Sequence, residues 1–173
     1  YHFYDTKELR RLIPYNPVKA IGLYRRAATK HFSDAGYAAL QAAFGYIFHI
    51  GHLPLDWGLI ADLTHMAATK ERFMFSLPYI GYMRIHGFGV TKNIRFGVQS
   101  LTRVLDEEKR ALEEEDRVLF YDITRALTRV ALGYAYEKGY VTGKPDLDAA
   151  VAYYEESHQY ILSHKANLDE ELK

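Results

Sequence analysis

Four histidines have the residue type, and in part the spacing, of a metal site. They are His49, His52, His65 and His86. A zinc site needs three or four ligands that converge on one point, and Gly51 interrupts the helix that would carry the first two histidines. No carboxylate stands at a matching spacing, and the chain has no cysteine. The sequence therefore predicts no metal site and no cofactor.

Acidic residues cluster at positions 106–108 and 113–116, with lysine and arginine residues between and after the two blocks. Opposite charges three or four residues apart on a helix produce a solvated face without any further role, and we take this as the default interpretation. The alternative is a docking face for a basic partner. Under that alternative, the candidate partner contacts are Glu113, Glu114 and Glu115.

Tyrosine is unusually frequent, with 15 tyrosines against one tryptophan. A tyrosine at an interface supplies a large apolar contact area and one hydrogen-bonding group. In helical repeats, many tyrosines instead fill the space between helices. We assign to packing Tyr46, Tyr82, Tyr134 and Tyr154. The candidate partner contacts among the other tyrosines are Tyr1, Tyr4 and Tyr15.

No arrangement of residues for catalysis is recognisable. Ser, His and Asp do not occur in the strand–turn–helix context of a hydrolase, and no glycine-rich loop follows a strand to hold a phosphate. Gly87 and Gly89 are predicted to form a turn between helices. We therefore predict that the protein is not an enzyme, with no catalytic residues and no small-molecule substrate.

Charge and composition narrow the classes of partner. Lys and Arg number 22, as do Asp and Glu, so the formal net charge is zero. A nucleic-acid partner is not expected, because binding to phosphate usually requires a basic excess.

The absence of cysteine excludes disulfides and thiolate chemistry, and no apolar run reaches the ~20 residues of a membrane span. The chain starts at Tyr1, so we expect a fragment or a mature form that has lost a transit peptide.

The elements that carry these residues are predicted to be helical repeats. An apolar residue, Gly-Tyr, four further residues and a second glycine occur in this order three times. The first glycine costs about 1 kcal/mol inside a helix relative to alanine, so its recurrence predicts a close crossing between the two helices of a hairpin. The second glycine suits the left-handed residue that ends a helix. The motifs are Gly45-Tyr46 with Gly51, Gly81-Tyr82 with Gly87, and Gly133-Tyr134 with Gly139.

Seven helices are predicted, and no run has the alternation of a β-strand. Asp56, Asn93 and Asp146 are suitable N-caps. The expected fold is an all-α, right-handed stack of antiparallel helix hairpins, an α-solenoid. We expect one helical-repeat domain over residues 1–173, with a repeat core at about 16–164 and terminal arms at 1–15 and 165–173. The predicted helices are, to within a few residues at each end, about 17–31, 35–50, 55–69, 75–86, 93–113, 118–138 and 146–164.

The spacing of the three motifs is uneven. The first two start 36 residues apart, and the third starts 52 residues after the second, an excess of 16. The stretch that must hold the excess has no Gly or Pro and is rich in helix formers. We therefore predict that one helix continues past Leu105 and that the next starts near residues 116–118, so that the two form an antiparallel spur. Its apolar seam would contain Leu105, Ala111, Leu112, Val118 and Leu119.

The third motif and the residues that follow it resemble a Sel1-like repeat, over residues 132–139 and 144–155. That family belongs to the tetratricopeptide-like helical hairpins, and its small-residue and aromatic positions are matched here by Ala150, Tyr153 and Tyr154. The earlier units depart from the pattern, since Ile60 replaces the small residue in one and Leu-Thr pairs replace the aromatic pairs. The resemblance covers about residues 16–160 and implies a stack of hairpins that binds other proteins.

In unit length the chain is also similar to the pentatricopeptide repeats. In its size, helix count and Tyr1 start it resembles a repeat-type accessory subunit of the F1 sector of protist mitochondrial ATP synthase. These resemblances imply a non-enzymatic, protein-binding scaffold in a larger mitochondrial complex. The alternative is an RNA-binding repeat protein of the pentatricopeptide type, and the zero net charge and small number of units argue against it.

Overall fold

A computed structural model describes residues 16–30, 34–69, 73–113 and 122–171. These residues form seven α-helices and contain no β-strand, which confirms the predicted all-α class. The helices are α1 (Pro17–Ala28), α2 (Ala35–Ile47), α3 (Trp57–Thr69), α4 (Phe73–His86), α5 (Ile94–Glu113), α6 (Asp122–Glu137) and α7 (Leu147–Glu171).

Four helices begin at an Asn or Asp side chain that accepts a hydrogen bond from the backbone N–H three residues later. The distances from Oδ1 to N are 2.9 Å at Asn16, 3.0 Å at Asp56, 3.0 Å at Asn93 and 3.1 Å at Asp146. Each bond pairs one of the N–H groups that a helix leaves free in its first turn. The last three of these residues are the N-caps that the sequence predicts.

The end of α2 lies before the second glycine of the first repeat motif. This helix ends at Ile47, three residues before the predicted position 50. His49 has φ 49°, Gly51 has φ 65° and His52 has φ 63°, all left-handed, and a short 3-10 turn covers Ile50–His52. Three left-handed residues in close succession turn the chain away from the helix axis, so Gly51 lies beyond the end of α2 and does not itself end the helix.

The last helix is longer than predicted. The backbone of α7 is helical to Glu171, seven residues beyond the predicted end at 164. Residues 147–171 contain no Gly or Pro, so no helix-ending residue interrupts them. The segment expected as a polar arm is therefore helical as far as residue 171.

The helix after the second repeat motif is extended, as the uneven spacing predicts. α5 continues past Leu105 to Glu113, and Leu105 packs against the core cluster that contains Leu101. The rest of the predicted spur lies outside the described residues, which omit positions 114–121 with Val118 and Leu119. The side chains of Ala111 and Leu112 are not described either.

Successive helices pack against each other along the whole chain, from α1 on α2 to α6 on α7, and α4 also packs on α6. The apolar core follows this order in two main clusters. One joins α1 to α4 and includes Ile21, Leu40 and Ile60. The other joins α4 to α7 and includes Leu101 and Leu132. This is the packing of stacked hairpins, in which each element buries its apolar stripe against its neighbours.

The glycines of the repeat motifs lie at close helix crossings, but not all at the predicted ones. A Cβ on Gly133 would meet the ring of Tyr154 on α7, and a Cβ on Gly81 would meet Leu101 on α5, so both lie inside a hairpin. A Cβ on Gly45 would instead overlap Ile21 of α1. The predicted crossing inside a hairpin is therefore wrong for Gly45, because α2 uses this face to pack on the preceding helix.

Candidate functional site

A half-enclosed apolar groove lies between α2, α3, α4, α6 and α7. Its cavity volume is about 340 Å³, which lies within the range of ligand-binding clefts. Three buried residues, Ile60, Met83 and Ala126, line its inner part. Large apolar side chains at its edge are in contact with solvent, and these are Phe48 (52% exposed), Val130 (38%) and Ile161 (54%).

Two contacts hold the walls of this groove together. The ring centroid of Tyr79 on α4 lies 5.2 Å from that of Phe44 on α2. The buried hydroxyl of Ser157 on α7 donates to the backbone oxygen of Ala126 on α6 at 3.0 Å. Burial raises the pKa of the Tyr79 hydroxyl far above its ordinary value, so this group stays protonated at neutral pH. None of the described residues that line the groove is charged.

A row of aromatic rings in contact continues from the groove at Trp57, with the first two pairs stacked and the last one tilted. The ring centroids are 4.7 Å apart between Trp57 and Phe88, 5.1 Å between Phe88 and His86, and 4.7 Å between His86 and Tyr134. This aromatic row joins the start of α3, the turn after α4, the end of α4 and the face of α6. Burial, and then the charge of Lys92, lower the pKa of His86, so its ring is neutral at pH 7 and fits among the other rings.

The tyrosines that the sequence assigns to packing make contacts within the stack. Tyr46 is buried, and the guanidinium of Arg25 on α1 donates to its hydroxyl at 3.0 Å. Tyr82 and Tyr134 both contact a ring of the aromatic row. Tyr154 lies in the crossing between α6 and α7.

Buried charges form a cluster where α5, α6 and α7 meet. Glu108 of α5 is only 3% exposed, and Arg129 of α6 donates to its two carboxylate oxygens at 2.6 and 3.3 Å. Arg125 lies 3.2 Å from the same carboxylate, and Arg129 also donates to Glu156 of α7 at 3.1 Å. The interpretation of the charged run as a solvated face is therefore wrong for Glu108. Its burial is tolerated because opposite charges and hydrogen bonds compensate for the lost hydration.

The candidate partner contacts that the sequence suggests stay predictions. One of them, Glu113, is the last residue of α5, and only its backbone is described. The others lie outside it, and these are Tyr1, Tyr4, Tyr15, Glu114 and Glu115.

The histidines considered as metal ligands are not grouped at one point among the described residues. His49 and His52 both take left-handed backbone conformations on either side of Gly51. Across the residues that the structure describes, no group of three or more His, Asp or Glu side chains is placed to hold a metal ion. None of the described helices combines the length and the apolarity that a membrane span requires.

Sequence reasoning missed the groove, because its lining comes from five separate helices. One signal was present on α6, where Ala126, Leu127 and Val130 form an apolar stripe at helical spacing. The same helix packs on α7 through its Gly133 face. A second apolar stripe on such a helix indicates a second surface that excludes water.

Comparison with known families identifies three stretches of the chain. The Sel1 repeat model matches residues 9–31, 79–99 and 124–157. The second and third matches contain the motifs that begin at Gly81 and Gly133, whereas the motif at Gly45 lies between the first and second matches. Neither the curated proteins nor the solved structures include a match to the chain.

Proposed function

We propose that this chain, three stretches of which match the Sel1 repeat model, holds an apolar segment of a partner protein in the groove. Sel1 repeats indicate a helical-repeat scaffold for protein interaction. The observation that carries this proposal is the exposure of Phe48, Val130 and Ile161 at the edge of an apolar cavity. Apolar surface of this kind becomes more stable when a partner covers it.

The size and chemistry of the groove favour a helical segment with two or three apolar anchors. A cavity of about 340 Å³ holds a few apolar side chains, and an amphipathic helix presents such side chains at positions i, i+3 or i+4, and i+7. The groove residues come from several rigid helices, so little conformational entropy is lost when a partner enters.

We propose further that the protein has no catalytic activity. The polar side-chain groups of the described groove lining are the hydroxyls of Tyr79, Tyr82 and Ser157 and the indole N–H of Trp57. Tyr79 is kept protonated by burial, and the Ser157 hydroxyl is already bonded to a backbone oxygen. A general acid or base needs a group that exchanges protons near neutral pH, and the two buried hydroxyls of Tyr79 and Ser157 supply none.

We propose that this scaffold is an accessory structural subunit of a larger complex. A small stack of hairpins with an exposed apolar groove suits a protein that is held on a larger partner. The narrower predictions, a mitochondrial location and attachment to the F1 sector of ATP synthase, stay predictions, and no comparison supports them.

A pair of matched variants tests the groove. Val130→Glu places a charge at the groove edge, whereas Val141→Glu places the same charge at a residue of equal exposure, 38%, that does not line the groove. The wild type and both variants are used as bait in native extracts, and captured proteins are quantified. We expect one partner to be lost with Val130→Glu by ~10-fold or more, because a charge buried against apolar groups is poorly solvated, and retained with Val141→Glu.

A second step identifies the segment that binds. A photoreactive phenylalanine analogue at Phe48 is crosslinked to the captured partner, and the crosslinked peptide is sequenced and titrated against the purified protein. We expect an amphipathic segment with apolar anchors at helical spacing. Capture that is equal for both variants would refute the groove as the binding site. Capture of RNA in place of protein, with affinity that falls steeply with salt, would favour the alternative function.

A further inference from the structure

The charges of this chain are unevenly distributed along the stack. Residues 1–105 contain 13 Lys and Arg against 6 Asp and Glu, whereas residues 106–173 contain 9 against 16. The two parts carry formal charges of +7 and −7 and cancel only in the sum. Among the residues whose side chains the structure describes, those up to position 105 contain 8 Lys and Arg against 3 Asp and Glu, and those from 106 to 162 contain 6 against 8. Because successive helices pack in chain order, the basic excess lies toward the α1 end of the stack and a smaller acidic excess lies toward the α7 end.

The basic end presents an exposed helix face on α1. Lys19, Leu23 and Arg26 stand at positions i, i+4 and i+7, so they share one face, and all three are exposed. Leu23 is 53% exposed, and α1 contains no acidic residue. The opposite side of the helix is buried through Ile21 and Ala28. The free face of α1 therefore combines positive charge with an uncovered apolar side chain.

The acidic end presents a matching face on α7. Leu147, Val151, Glu155 and Leu162 lie on one side of this helix and are exposed, the three apolar ones to 62%, 52% and 46%. Asp148 lies beside them, and residues 147–162 contain no Lys or Arg. The opposite side of α7 is fastened to α6 through Ser157. The free face of α7 therefore combines negative charge with a longer uncovered apolar stripe.

We propose that a second copy of this chain docks head to tail, with the outer face of its α1 against the outer face of α7. Opposite charges at a rim steer association and set its register, and apolar groups at the centre supply most of the stability. Each chain carries one face of each kind, so every copy can contact one neighbour through α1 and another through α7. A nucleic acid would engage the basic end alone and would leave the apolar stripe of α7 uncovered.

This contact joins two different surfaces and has a consequence for assembly. Each bound copy still carries one free α1 face and one free α7 face. Such heterologous contacts grow into chains unless the rotation between copies closes a ring. The contact involves no residue of the groove, so it is separate from the partner binding proposed above.

The test is sedimentation velocity over a range of protein concentration. The acidic-face variant is Val151→Lys with Glu155→Lys, and the basic-face variant is Lys19→Glu with Arg26→Glu. We expect the wild type to form dimers and larger species, and to dissociate ~10-fold more readily when salt is raised from about 0.05 M to about 0.5 M, because salt screens exposed charges. Each variant alone should remain a monomer over the same range.

An equimolar mixture of the two variants is the decisive sample. The basic-face variant keeps an intact α7 face, and the acidic-face variant keeps an intact α1 face. The mixture should therefore associate through these two intact faces, although each variant alone remains a monomer. The groove variant Val130→Glu should associate like the wild type, which separates this proposal from the groove. Helix content is checked for every variant by circular dichroism.

Three results would overturn the proposal. The first is a wild type that is monomeric at all concentrations, and the second is a variant mixture that remains monomeric while the wild type associates. The third is a monomeric wild type that binds single-stranded RNA in a salt-dependent manner and loses this binding with Lys19→Glu and Arg26→Glu, since the basic face would then serve a nucleic acid.

Discussion

The ring of Tyr154 lies directly against the backbone of Gly133. A Cβ atom on Gly133 would stand 2.7 Å from Cε1 of that ring, which is closer than van der Waals contact allows. The Tyr154 hydroxyl donates to Glu137 at 3.0 Å, and burial together with this bond raises its pKa to about 12. The ring is thus held at its hydroxyl as well as at its face, and it cannot swing aside without loss of a hydrogen bond.

Gly133→Leu should lower the stability of the protein by ~1–3 kcal/mol or more, because the added side chain forces α6 and α7 apart. Helix propensity alone predicts the opposite sign, since leucine is the better helix former. Thermal melts followed at 222 nm measure the change.

Gly22 supplies the matched control for this crossing. It lies in the middle of α1, and a Cβ there would meet nothing within 4 Å. Gly22→Ala should therefore stabilise by up to about 1 kcal/mol, whereas Gly133→Ala should destabilise. If Gly22→Ala and Gly133→Ala raised the stability by similar amounts, the Tyr154 ring would have moved aside, and the crossing would impose no constraint on residue 133.

Adjacent glutamates on α5 should respond very differently to truncation. Glu108→Ala leaves Arg129 buried without its main partner, and breaking a buried pair in this way costs about 3–5 kcal/mol. The Glu107 side chain is 30% exposed and pairs with Arg110 at 3.1 Å on the surface, so Glu107→Ala should cost about 0–1 kcal/mol. Chemical denaturation of the two variants measures both values, and equal losses would contradict the role given to the charge cluster.

Stability should fall as the pH drops below the ordinary pKa of histidine, in part because of His86. Burial and the charge of Lys92 lower the pKa of His86 in the folded state. Just below pH ~6.5 the unfolded chain therefore binds a proton that the folded chain still excludes, and unfolding becomes easier. At pH values well above ~6.5 the His86 ring is neutral in both the folded and the unfolded state, so His86 no longer makes the free energy of unfolding depend on pH.

The variant His86→Phe keeps a ring beside Phe88 but removes the titration. The free energy of unfolding is measured from about pH 8 to about pH 5 for both proteins. We expect the variant to lose less stability than the wild type over this interval. Parallel curves would mean that His86 has no part in the pH dependence.

The N-cap of α7 should contribute measurably to stability. Asp146 accepts a hydrogen bond from the Ala149 N–H at 3.1 Å, and Asp146→Ala should cost about 1 kcal/mol. Asp146→Asn keeps a capping oxygen and should cost only a fraction of that. Both are compared in the same denaturation experiment, and an equal loss in the two variants would show that the carboxylate charge matters rather than the cap.

The amino-acid sequence by itself determined the helices and their likeness to Sel1 repeats in three stretches. Asp56, Asn93 and Asp146 mark helix starts because a cap bonds to an N–H only three residues away. The Gly-Tyr motifs at Gly81 and Gly133 indicated hairpin crossings, and the same two stretches lie within the family matches. Such signals depend on residues within one or two helical turns, so they can be interpreted without knowledge of the rest of the chain.

Only the tertiary structure decided which faces meet. Gly45 packs on Ile21 of the preceding helix, and Glu108 is buried because Arg129, 21 residues later, reaches it from α6. The groove exists because five helices leave Phe48, Val130 and Ile161 around one space. Each of these outcomes depends on the relative placement of helices far apart in sequence. Helical periodicity assigns a side chain to a face of its own helix, but the neighbour of that face is selected by the packing of the whole stack.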